Sequence, residues 1–285
     1  MENKYLIKLL EENSGYYNVS FSNHYMNWKR YCSIGDALAR ELKRRGRRAP
    51  IKIIDLGCGD GWIDFRLKAK FSQKFELSFF GADLSALSID LANQRKSYFG
   101  HQGCFFFPMD AQNLGLRGEQ FDIVITSELI EHLTDPPLLM HEIRRILKND
   151  GLCILTTPQQ GGGLQVRLLH HWGERDKDSD RNRSLDLGFI GENEMKRMKL
   201  SSGEGLSGAG YGHIAVKNRA EWERCFKQSG FKVQSVRGTG GLLFGAPYLD
   251  AKRVLFALAL ISDVILEKFS FSHLFSEILI FELRK

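Results

Sequence analysis

The 285-residue chain is poor in several features that would mark a specialised class. Its five cysteines (Cys32, Cys58, Cys104, Cys153 and Cys225) are scattered, with no paired spacing. That argues against a disulfide framework or a zinc site and suits a reducing, cytoplasmic setting. The opening MENKYLIKLLEEN has no long apolar stretch followed by a small-residue cleavage site, so no secretory leader is expected. The most apolar segment, YLDAKRVLFALALISDVILEKF, is interrupted or flanked by Asp250, Lys252, Arg253, Asp263 and Glu267. Its apolar core is too short for a bilayer span. Internal repeats and low-complexity tracts are also missing. What remains, 43% hydrophobic and 26% charged residues, is the composition of a globular protein with a real core.

Charge is the first positive signal. The formal net charge is +6, and much of it can come from Arg40–Arg48, RELKRRGRR. Cations suit the carboxyl end of a helix, so a solvated helix end is the favoured reading. A patch for nucleic acid or anionic lipid is the alternative.

From Ile51 onward, apolar β-rich runs alternate with helical patterns. Strands are expected at Ile51–Asp55, Leu77–Asp83, Cys104–Met109, Phe121–Thr126 and Leu152–Thr156. Helices are expected at Ile63–Phe71, Ala86–Phe99 and Pro136–Leu147. Such alternation predicts parallel strands joined by crossover helices, the doubly wound α/β class. Residues 1–50 form an expected helical cap and 51–158 the ligand-binding core. Residues 159–212, rich in glycine and mixed charge, form an inserted lid or loop region with some helix around Glu192–Leu200. The alternation resumes in 213–285, with helix Arg219–Ser229 and strands Phe231–Val236 and Glu277–Leu283. Between those last strands, 242–271 is expected to be an apolar helical insertion, packed against the lid or a substrate, or resting on a bilayer surface.

The stretch IIDLGCGDGW holds the clearest chemistry. A strand must reverse into a helix there, and glycine permits both the backbone angles and close approach of a ligand. Ligands in open α/β sheets lie beyond the carboxyl ends of the strands. Gly57, Gly59 and Gly61 therefore mark a nucleotide-like pocket. Asp83 ends the second strand, at a spacing suited to ribose hydroxyls, and Asp110 with Ala111 ends the third. A phosphate-binding loop would need a following Gly-Lys-Ser/Thr, which is absent. Asp55, just before the bend, would repel phosphate but suit a ligand with a positive amine. A phosphate-free nucleoside with a cationic amino-acid tail, S-adenosylmethionine, meets those demands.

The ordered set DLGCGDG, GADLS, MDAQNL, FDIVITSELIEHL and LKNDGLCILTTP resembles the motifs of class I S-adenosylmethionine-dependent methyltransferases. The resemblance is close over Ile51–Pro158 and looser from Gly212 onward. It implies a Rossmann-like, seven-stranded mixed sheet whose last strand runs antiparallel. It also implies cofactor contacts: Asp55, Gly57, Cys58 and Gly59 at the methionine part, Asp83 with Leu84 at the ribose, Asp110 with Ala111 at the adenine. Ser127 and Glu128 would close over the sulfonium.

Glu128, Glu131 and His132 follow the fourth strand, and a helical SELIEHL would place them on one face. Glu131 and His132 are the candidate catalytic pair. With Glu128 they could also bind a divalent cation such as Mg2+. The spacing is similar to that of ubiquinone-biosynthesis O-methyltransferases, and of small-RNA 2′-O-methyltransferases, which add a later metal-binding histidine. His213 stands in roughly the matching place, although its flanks depart from the pattern. A Glu/His dyad without metal, as in some N-methyltransferases, is a third possibility. His170, His171 and Trp172 are read as surface loop rather than substrate contacts. The leading expectation is O-methylation of a small or lipid-like acceptor, with Val254–Ile265 lining an apolar pocket. RNA methylation and a non-enzymatic scaffold are the alternatives.

Overall fold

A computed structural model describes residues 21–46, 49–160, 215–239, 265, 272–274, 276 and 278–285. The chain order is α1 Phe21–Arg45, β1 Ile51–Leu56, α2 Trp62–Phe71, β2 Leu77–Asp83, α3 Ala86–Phe99 and β3 Cys104–Pro108. Then follow β4 Phe121–Ser127, α4 Pro136–Ile146, β5 Leu147–Pro158, α5 Arg219–Gln228, β6 Lys232–Thr239 and β7 Ile278–Arg284. The strands form one seven-stranded sheet in the order β3-β2-β1-β4-β5-β7-β6. β1 runs parallel to β2 and β4, whereas β7 runs antiparallel to β5 and β6. This is the doubly wound α/β sheet expected from the alternation, with the antiparallel last strand that the resemblance implies, and it changes direction of winding between β1 and β4.

Local sequence explains the elements. β4 is buried along nearly its whole length, as a central strand covered on both faces must be. Ser85 caps α3 by accepting the Ser88 N–H at 3.2 Å, and Gly100 ends that helix at φ 65°. Asn218 and Glu221 close a reciprocal capping box on α5. Ile34, Leu38 and Leu42 of α1 join Leu67 and Phe71 of α2 over one face of the sheet. Leu139 and Ile143 of α4 join Trp222 and Phe226 of α5 over the other.

The basic run corrects the favoured reading. Arg40, Arg44 and Arg45 do lie at the carboxyl end of α1, but they turn to acids of the fold rather than only to water. Buried Glu41 accepts from both terminal nitrogens of Arg284 at 2.9 and 2.8 Å. It also accepts from Arg44 at 2.9 and 2.8 Å and from Arg45 at 2.7 Å. Arg45 continues to the Asp122 carboxylate at 3.1 Å, and Arg40 reaches Glu282 at 2.7 Å. Burial would raise the Glu41 pKa, but hydrogen bonds from Arg284, Arg44 and Arg45 hold it well below the ordinary carboxylate range. Arg47 and Arg48 lie outside the described residues.

The expected helix around Glu192–Leu200 lies outside the described residues, as does 242–271 apart from Ile265. Among the described residues, no helix is long and apolar enough to cross a membrane.

Candidate active site

β1 delivers Asp55 to the carboxyl edge of the sheet and runs into the bend. Gly57, Gly59 and Gly61 take φ of 77°, 54° and 73°, in the left-handed region. The Gly57 and Cys58 N–H groups both donate to the Ala82 carbonyl, at 2.8 and 3.2 Å, which ties the bend to β2. The glycines serve different ends. A Cβ on Gly61 would stand 2.7 Å from the Phe106 ring, so packing demands that one. A Cβ on Gly59 would meet nothing within 4 Å, so that stretch of backbone is open to a ligand.

The acids converge on this opening. Gly59 N–H donates to Asp83 Oδ2 at 2.9 Å and Ser85 N–H to Oδ1 at 2.8 Å, which fixes the carboxylate against the bend. Burial raises the Asp83 pKa, and those two N–H groups oppose the rise. Asp55 is buried, and its Oδ1 has no hydrogen-bond partner. Burial pushes its pKa well up, the Asp83 charge adds to the rise, and Arg30 opposes it. Asp110 lies exposed beyond β3 and accepts the Gln112 N–H at 2.8 Å. Ala111 packs half-buried beside it, and Leu84 is exposed next to Asp83.

The segment after β4 departs from expectation. SELIEHL forms only a short 3-10 turn, Ile130–His132, instead of an α-helix. Glu128 takes φ 55°, which breaks the helical path before the pair that follows. Thr156 Oγ1 donates to Glu128 Oε1 at 2.9 Å, and Ser127 Oγ lies 3.0 Å from the same hydroxyl. Arg30 Nη1 stands 3.8 Å from Glu128 Oε2. Glu131 is fully buried, accepts from Thr157 Oγ1 at 3.1 Å and lies 3.9 Å from His132 Nε2. Burial raises the Glu131 pKa well above its usual range, and the Glu128 charge adds to that.

Of the expected metal set, Glu128, Glu131 and His132 lie within the described residues. Among the described residues, no group of three or more His, Cys, Asp or Glu side chains is placed to hold a metal ion. The cation beside Glu128 is Arg30, and Glu131 turns to Thr157. His213 lies outside the described residues, as do His170, His171 and Trp172.

Four participants escaped sequence reading: Arg30, Asp64, Thr156 and Thr157. The threonine pair ends β5 at the sheet edge where ligands sit, a signal that could have been used. Asp64 is buried on α2 with Phe65, Leu67 and Phe71, and an acid among such apolar neighbours is also a legible oddity. Arg30 offers no local signal, since its partner lies far along the chain.

Comparison with known proteins follows the same lines. A family profile described as "Methyltransferase domain" matches residues 23–236. A ubiquinone biosynthesis O-methyltransferase of Chelativorans sp. (strain BNC1) is 30% identical over 138 residues, 47% of this chain and 52% of that protein. Its counterpart from Cereibacter sphaeroides (strain ATCC 17025 / ATH 2.4.3) is 29% identical over 139 residues, 47% and 53% of the two chains. This chain thus spans about half the length of the curated relatives it matches. A solved putative sarcosine dimethylglycine methyltransferase from Galdieria sulphuraria shares the fold, with TM-score 0.53 at 15% identity over 89% of this chain and 86% of that one. Haemonchus contortus phosphoethanolamine N-methyltransferase 2, solved with S-adenosyl-L-methionine, gives TM-score 0.52 at 17% identity over 88% and 52%. The structural likenesses speak to architecture, and the sequence profile speaks to kinship. Because that profile runs from α1 to β6 and takes in the whole glycine bend, the chain belongs to the methyltransferase domain family, in its class I, S-adenosylmethionine-dependent form.

Proposed function

We propose that this chain transfers a methyl group from S-adenosylmethionine to an oxygen of a small, lipid-like acceptor. The observation that carries the cofactor assignment is the opening at Gly59 beside the orphan Oδ1 of Asp55. A buried carboxylate oxygen without a donor is costly, and an ammonium group would satisfy it. Asp55 would hold the amino group of the methionine tail, and Arg30, within electrostatic reach of Asp55, its carboxylate. Asp83 with the neighbouring Leu84 would bind the ribose, and Asp110 with Ala111 would flank the adenine. The backbone of Gly57, Cys58 and Gly59 would line the floor, and Ser127 and Glu128 the sulfonium side. When bound, the cofactor supplies an electrophilic methyl group on sulfur.

The protein's own task is alignment and proton handling. Holding the acceptor oxygen in line accounts for up to roughly 7–11 kcal/mol of barrier. An oxygen nucleophile must also lose a proton, and His132 is the base assigned to receive it. Glu131, clamped by Thr157, stands beside the ring to orient it. No step is assigned to magnesium, because the described acids are not gathered as ligands.

The relatives' names support an acceptor of the ubiquinone-precursor type, a hydroxylated aromatic with an apolar tail. The apolar sequence Val254–Ile265 supports the same class. The pairing of Arg40, Arg44 and Arg45 with acids of the fold weakens one of the two motives for an RNA acceptor. Turnover of such an aromatic tests the reading. His132→Ala should lower kcat by about 10²–10⁴-fold with little change in cofactor affinity. Equal turnover by the variant sinks the base assignment, and capture of NAD or ATP in place of S-adenosylmethionine sinks the whole reading.

A further inference from the structure

α2 begins at Trp62, directly after the glycine bend, and its third residue is Asp64. Asp64 is fully buried, and neither of its carboxylate oxygens has a hydrogen-bond partner. Asp55, whose charge acts on Asp64, has its own orphan Oδ1. Two buried carboxyl groups with unsatisfied oxygens thus lie within electrostatic reach of each other. Two ionised neighbours without donors are strongly unfavourable there, and a bound proton relieves both the burial and the repulsion.

The surrounding charges are shared with other groups and relieve the pair only in part. Arg95 of α3 meets Asp60 at 3.1 Å. Lys68, one turn further along α2, gives its Nζ to the Leu77 carbonyl at 2.7 Å. Arg30 of α1 opposes the rise at Asp55 but stands 3.8 Å from Glu128. Asp60 and Asp83 add negative charge to the cluster. Cys58 in the bend and Cys104 on β3 also feel Asp64, and burial keeps both thiols protonated. Burial pushes Asp55 and Asp64 well above the ordinary carboxylate range, with Asp83 adding to the first and Asp55 to the second.

We propose that Asp55 and Asp64 form a proton-sharing pair, and that arrival of the cofactor's ammonium group at Asp55 expels a proton from the pair to solvent. Asp64 is then a positioning residue, acting on the ligand through Asp55. The inference rests on reading this pocket as an S-adenosylmethionine site. At Asp55 the ammonium takes the place of the departing proton, and the ligand's own carboxylate is answered by Arg30. The only bond broken is the carboxyl O–H, and its proton passes to the buffer. Binding that releases a proton tightens as pH rises, by up to about tenfold per pH unit.

Titration calorimetry of the full chain with S-adenosylhomocysteine, in buffers of different ionisation heat at neutral pH, reads the proton directly. The expected result is release of about one proton per ligand by the wild type. Asp64→Asn should remove most of that release and flatten the dependence of Kd on pH. Binding heat that is the same in every buffer overturns the pair but leaves the cofactor reading standing. An Asp64→Asn protein that still releases the full proton does the same. No binding heat at all overturns both. The wild-type measurement decides the matter even if the variant fails to fold.

Discussion

One helix, α1, meets buried charge at both of its ends, and the two encounters differ in completeness. Near its carboxyl end, Glu41 is surrounded by Arg44, Arg45 and Arg284 at 2.7–2.9 Å, with two-pronged contacts from Arg44 and Arg284. Toward its amino end, Arg30 faces Glu128 at 3.8 Å, and nearby Asp55 keeps an orphan oxygen. The first network is closed: each Glu41 oxygen is met at ideal range. The second is open, with acids withdrawn from water and incompletely answered. Closed ionic networks fix one arrangement of the chain. Open ones are destabilising unless something else completes them, which is what a binding site for a zwitterionic tail requires. On the proposed function, the clamp would hold the helix so that Arg30 is presented to the cofactor's tail.

The largest expected effect comes from breaking the closed end. Glu41→Ala leaves Arg284 buried beside the loosened Arg44 and Arg45. Removing one partner of a buried ion pair costs about 3–5 kcal/mol. For a chain of this size that lowers Tm by on the order of 10 °C. Protein that remains folded should bind S-adenosylmethionine as before. The pH dependence follows from the depressed Glu41 pKa. Its stabilisation is fully present above the unfolded value, near 4.3 on the ~4.3 glutamate reference, and is lost as pH falls through the lower folded value. Acid unfolding followed by circular dichroism should show this component in the wild type and lack it in Glu41→Gln. Identical acid transitions would mean that Glu41 is not the clamp's keystone.

The open end should respond in the opposite way. Arg30→Met keeps an apolar stem against the core while deleting the charge. S-adenosylmethionine affinity is expected to fall about 10–100-fold, roughly 1.4–2.8 kcal/mol, and stability to fall by less than in Glu41→Ala, because the Arg30–Glu128 pair is long at 3.8 Å. Calorimetry and a thermal melt on the same preparation separate the two. A melting loss as large as that of Glu41→Ala, with unchanged affinity, would erase the distinction between the ends of α1.

The same contrast explains which parts were legible in the sequence. Asp55, the glycines and Asp83 could be assigned because a strand end, a bend and the next strand end repeat a local pattern. The sheet followed from hydrophobic runs separated by capped helices such as Ser85–Gly100. The charge networks could not be read in that way. Glu41 and Arg284 lie 243 positions apart, and only the antiparallel return of β7 brings them together. Arg30 reaches Glu128 through the packing of α1 on the sheet, which no spacing encodes. SELIEHL was misjudged for a local reason: helical spacing is present, but Glu128 adopts a positive φ while accepting the Thr156 hydroxyl. Asp64 was passed over because a single acid in a helix is ordinarily a surface residue.

The smallest effect tests how far the clamp extends along the basic run. Arg40 and Arg45 belong to the same sequence motif, yet their surroundings differ. The Arg45 side chain is 19% exposed, and it bridges Glu41 and Asp122. Arg40 is 41% exposed and contacts Glu282 alone among the described acids. Glu282 also accepts from Ser235 Oγ at 2.7 Å and has Arg237 at 3.8 Å, so it keeps partners when Arg40 is removed. Arg40→Ala should therefore cost about 0.5 kcal/mol or less, in the range of exposed ion pairs, and the loss should shrink further in high salt. Arg45→Ala, which takes one partner from each of two buried acids and leaves Glu41 to Arg44 and Arg284 and Asp122 to Lys148, should cost more and depend less on salt. Chemical denaturation of both variants at two salt concentrations measures the difference. If Arg40→Ala proves as costly as Arg45→Ala, the closed network reaches the protein surface, and the boundary drawn at Glu41 is too narrow.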